Sequence, residues 1–121
     1  MSIRSTARLV VLAAGAAGLF TAGTAVAADT LSGEVVDLVC YLPHPDSARG
    51  EGHKKCADTC IKKGLPMGLL TDDKQLYVLL EDHDNPKPYA ALKDKAAEKV
   101  TIEGEKVTQG GTQGFVVDAI K

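Results

Sequence analysis

Three cysteines and a histidine are the residues of this chain best suited to chemistry. His53, Cys56 and Cys60 stand in the pattern H-x-x-C-x-x-x-C, and Cys40 lies upstream of them. At about 100° per residue, the three members of the pattern fall within roughly 60° of one another on a helix. Thiolates and imidazole are soft or borderline ligands that suit Cu(I) and Zn(II), and a Cys3His set closes a zinc tetrahedron. The spacing therefore predicts a metal site made of Cys40, His53, Cys56 and Cys60, holding a copper or zinc ion. It differs from the zinc-finger spacing, which usually begins with C-x-x-C.

The same cysteines support other chemistry. In an oxidising compartment thiols tend to pair, and a bridge adds about 2–4 kcal/mol to a small domain. Cys56 and Cys60 project in parallel from a regular helix, so Cys40 is the easier partner for either one, which leaves one thiol free. That arrangement describes a disulfide-stapled interaction module. Thiol redox exchange is a further alternative, although C-x-x-x-C departs from the C-x-x-C of thioredoxin-type proteins. Covalent haem attachment requires C-x-x-C-H, and Ile61 follows Cys60 here.

Three residues near these motifs carry weaker signals. His44, between Pro43 and Pro45, reads as an outer ligand or a solvated loop histidine. Met67 offers a thioether to Cu(I), or packs in the core at a strand start. His83 lies among Glu81, Asp82 and Asp84, a pattern that reads as a solvated turn.

The redox compartment follows from the first residues. Arg4 and Arg8 precede an apolar run from Leu9 to Phe20, and Ala25-Val26-Ala27 fits an A-x-A cleavage pattern. Residues 1–27 thus read as a secretory signal peptide. The run is too short and too rich in Ala and Gly for a spanning helix, which leaves no membrane anchor after cleavage. The expected location is periplasmic or secreted. Within the chain of 121 residues, basic side chains number 14 and acidic ones 16. Removing the two arginines makes the mature domain, residues 28–121, more acidic still. An acidic surface with 4% aromatic residues fits nucleic-acid binding poorly.

The elements that must position the site follow from periodicity and turn residues. Gly33 to Cys40 reads as a strand, with Val36, Leu38 and Cys40 on one face. Tyr41 to Gly52 reads as a loop, and His53 to Lys63 as a helix stopped by Gly64 and Pro66. Met67–Leu70 and Gln75–Leu80 form a hairpin around a polar turn. Pro88 to about Glu98 is helical, and two strands follow, Val100–Thr108 and Phe115–Ile120, joined through Gly110-Gly111. This order predicts a mainly β protein. It is an OB-fold-like barrel of five strands, with a short Cys/His helix after strand 1 and a helix between strands 3 and 4. An open α+β sandwich uses the same elements.

The runs GEVVDLVCYL, HKKCADTC, KKGLPMGLL and VTIEGEKVTQGGTQGFVVDAI resemble small exported bacterial domains of OB-fold-like type. The resemblance covers most of the mature chain. It implies a ligand site at the connection between strands one and two, where the Cys/His helix falls, and it implies no fixed activity. The expected function is a carrier or sensor of a transition metal, working with the metal ion and another exported protein. No catalytic apparatus is evident. A thiol oxidoreductase is the one enzymatic alternative.

Overall fold

The computed structural model describes residues 27–121 together with Gly18 and Gly23. The expected signal peptide, but for isolated positions, lies outside the described residues. Five strands run through the rest: β1 (Asp29–Asp37), β2 (Met67–Thr71), β3 (Leu76–Glu81), β4 (Lys99–Gln109) and β5 (Thr112–Ile120). They close into a barrel in the order β1-β2-β3-β5-β4. All pairings are antiparallel except β3 with β5. A closed five-stranded barrel of this order is the expected OB-like fold.

Closure depends on β1 serving two neighbours. Its first half pairs with β4 from Asp29 to Glu34, and its second half pairs with β2 from Gly33 to Asp37. At the crossover, a Cβ on Gly33 would stand 2.4 Å from the Leu70 carbonyl oxygen. The β4–β5 seam has a similar point, an irregularity of register between Glu103 and Gly104. There a Cβ would stand 1.8 Å from the Val116 carbonyl oxygen. Strands this strongly coiled bring backbones within reach of each other, and only glycine leaves room.

The barrel is filled by the inward faces of its strands. Val35, Met67, Leu69, Leu79, Val100, Ile102, Phe115 and Val117 are buried together, and Ala57, Ile61, Leu92 and Ala96 close the ends. Val36 and Leu70, on the alternate face of β1 and β2, form a smaller cluster with Leu38, just past the end of β1, flanked by Tyr41, Leu76 and Val78. Met67 is wholly buried in the main core, so its thioether serves packing.

Two helices differ from expectation in their limits, and one was not expected. The first strand stops at Asp37 rather than Cys40, because Leu38–Tyr41 turns into a short helix, α1. The Cys/His segment divides into a 3-10 turn (Glu51–His53) and α2 (Lys54–Lys62). The helix between strands 3 and 4, α3, covers only Lys87–Leu92. Beyond it, the Ala97 N–H donates to the Val35 carbonyl and the Val35 N–H donates to the Glu98 carbonyl, at 2.8 and 3.0 Å. Ala97 adopts a left-handed φ of 59° to make that return to β1. Pairing with β1 beyond the end of its β4 register outweighs helical propensity there.

Gly104→Ala is expected to destabilise the protein by about 3 kcal/mol, because the clash is with backbone that cannot rotate away. Gly52→Ala, whose new Cβ meets nothing within 4 Å, should stay within about 0.5 kcal/mol. Urea unfolding of the two variants measures the difference, and equal midpoints would contradict the seam's role.

Candidate metal centre

Helix α2 presents two rows of side chains one residue apart. Ala57 and Ile61, spaced i and i+4, are buried and enter the barrel core. Cys56 and Cys60 have the same spacing, and they stand about 100° round the helix from that apolar row. Burying the alanine and isoleucine therefore fixes where the two thiols stand. They lie on the flank of α2, with Cys56 exposed and Cys60 half-buried.

Cys40 meets them from α1. The sulfur atoms of Cys40, Cys56 and Cys60 all lie within 4.8 Å of one another. None of the three is disulfide-bonded. Zinc–sulfur bonds of about 2.3 Å would place tetrahedral sulfur ligands about 3.8 Å apart, so closing around an ion requires shifts of about 1 Å or less. The cluster could hold a metal ion.

Sequence reasoning missed the residue that brings α1 into place. Asp37 is fully buried, the one charged side chain in the core of the described residues. It caps α1: its Oδ1 accepts from the Cys40 N–H at 2.8 Å. Its Oδ2 accepts from His53 Nε2 at 3.0 Å. A carboxylate can only accept, so Nε2 carries the hydrogen of this bond, and in the neutral ring the lone pair is left on Nδ1. The signal for Asp37 was present, since Asp is a favoured N-cap. It was masked because Val35-Val36-Asp37-Leu38-Val39 is rich in β-branched residues and reads as a continuing strand.

His53 consequently parts from the row expected of it. It lies in the 3-10 turn before α2, and it joins Asp37 and Cys40 in a second group whose ligand atoms lie within 4.8 Å of one another. Cys56 and Cys60 fall outside that group. The four residues read from the sequence thus form two overlapping triplets that share Cys40, with Asp37 as the added fifth member. His44 and His83 are exposed and belong to neither triplet.

The electrostatics oppose an unmetallated thiolate. The Cys40 thiol is pushed up to about 12, first by hydrogen bonding to the Asp37 carboxylate, then by desolvation and by that carboxylate's charge. Cys60 is also raised, by desolvation first and then by the negative charge of Asp37. Both thiols therefore keep their protons at neutral pH, and a metal ion would have to displace them.

This arrangement orders the reactivity of the free thiols. Exposed Cys56 should alkylate first at pH 8 and Cys40 last. Asp37→Asn retains a side-chain cap but removes the charge, and should speed Cys40 modification by roughly tenfold. Peptide mapping by mass spectrometry reads the order, and an unchanged Cys40 rate would show that the carboxylate does not govern this thiol.

No protein-family model matches the chain, and no curated protein or solved structure does so either.

Proposed function

We propose that this protein is an exported carrier or sensor of a thiophilic transition metal, copper or zinc. The observation that carries this reading is the convergence of three sulfur atoms within 4.8 Å from two separate helices. Cys40, Cys56 and Cys60 act as thiolate ligands. His53 stands beside this triplet, grouped with Asp37 and Cys40. Asp37 holds its Nε2 in the carboxylate–histidine pattern that fixes tautomer and ring orientation, and a fourth bond through Nδ1 requires the turn carrying His53 to move towards Cys56 and Cys60. Two features favour a carrier or sensor over a permanent structural metal. The barrel core is filled without help from the thiols, and Cys56 is open to solvent, which leaves the ion a direct route in and out. A partner that delivers or receives the ion is another exported protein.

The donor set suits both metals. Three thiolates and an imidazole form a zinc tetrahedron, and a thiolate triplet equally suits Cu(I). Because bound thiolates must first lose protons, and Cys40 and Cys60 resist doing so, apparent metal affinity rises with pH through the neutral range.

Reduced protein loaded anaerobically with Zn(II) or Cu(I) and then desalted should retain about one metal per chain and lose its free thiol count. Cys56→Ser should weaken retention by at least about tenfold without unfolding the barrel, since this side chain is exposed. Metal-free protein with three titratable thiols after loading would overturn the reading. One bridge plus one free thiol, found by mass before and after alkylation, would favour a disulfide-stapled interaction module.

A further inference from the structure

A second recess shares no residue with the thiol cluster. It has a volume of about 310 Å³ and lies between β1, the end of β2, the β2–β3 turn and the start of β4. This is the lower end of the range of small-molecule sites. Glu34 of β1 lines it. The Glu34 Oε1 accepts from the Gly50 N–H at 2.9 Å, which leaves this oxygen satisfied. Its Oε2 is buried and has no hydrogen-bond partner among the described residues. A buried carboxylate oxygen of this kind calls for a donor.

Three cations stand in the rest of the lining. Arg49, Lys74 and Lys99 all border the recess. Lys99 is held by Asp72, the only other acidic residue of the lining, at 2.5 Å. Arg49 and Lys74 have no ion-pair partner among the described residues. A simple amine entering here would satisfy Glu34 but meet three cations. A simple anion would satisfy Arg49 and Lys74 but leave Glu34 without a donor. A molecule with both charges answers both requirements, and Leu70 and Ala97 offer apolar contact to a short side chain between them.

We propose that this recess binds a small zwitterion of the α-amino-acid type, its ammonium on the Glu34 carboxylate, whose side chain turns to present Oε2, and its carboxylate between Arg49 and Lys74. The inference stands apart from the metal reading, because no thiol, His53 or Asp37 lines the recess.

Titration of the isotopically labelled full-length protein by nuclear magnetic resonance tests it. The probes are L-alanine and L-glutamate, with N-acetyl-alanine and alaninamide as half-ligands that each lack one charge. Saturable shifts are expected at Gly50, Leu70 and Lys99 with the zwitterions, and at least about fivefold weaker binding with either half-ligand. Glu34→Gln should abolish saturation. Lys74→Asn, at an exposed turn position with a left-handed φ of 63° that Asn tolerates, should weaken binding and gives a second reading if Glu34→Gln folds poorly. Cys56→Ser should leave binding unchanged. Absence of saturable shifts up to roughly 20 mM would overturn the proposal. So would half-ligands or Glu34→Gln that bind as well as their parents.

Discussion

The buried Asp37 carboxylate is the interaction on which the site depends. A charged group removed from water costs several kcal/mol unless its oxygens are satisfied, as an order of magnitude. Here one oxygen takes the Cys40 N–H and the other takes His53 Nε2. These two bonds end β1, start α1 and tie the 3-10 turn back to the strand. They also bring a thiol and an imidazole to one carboxylate, and that carboxylate holds the thiol in its protonated form.

The second constraint comes from α2. Its apolar row, Ala57 and Ile61, is buried in the barrel core, and this burial sets the helix's rotation. Cys56 and Cys60 are then carried to the flank that faces α1. Packing and chemistry are thereby divided between two rows of one short helix. The division lets the thiols remain partly exposed while the hydrophobic core stays complete. Such a site can exchange its ligand without opening the fold, because no thiol belongs to the core.

Much of the fold was legible because its signals are local. The apolar runs of β2 and β3, the alternation in β4, the Gly110-Gly111 turn and the Gly64–Pro66 stop each act within a few residues. The OB-like barrel followed from the order of elements along the chain, while the pairing of its strands was seen only in the structure. The errors fall where distant groups decide local structure. Val39 and Cys40 have strand-like neighbours, yet the Asp37 cap, anchored by His53 sixteen residues away, turns them into a helix. Ala97 and Glu98 look helical, yet they pair with Val35 across the barrel.

The sequence by itself determined the candidate residues and the barrel. The three cysteines and His53 are legible from residue type and spacing, and the five strands from periodicity. Tertiary structure alone decided how those donors divide: three sulfurs in one group, and His53 with Asp37 and Cys40 in another. The physical reason is that spacing along a helix fixes angles only within that helix. His53 precedes α2, and Cys40 belongs to another segment. Their meeting depends on a buried carboxylate whose partners are brought together only when the barrel closes.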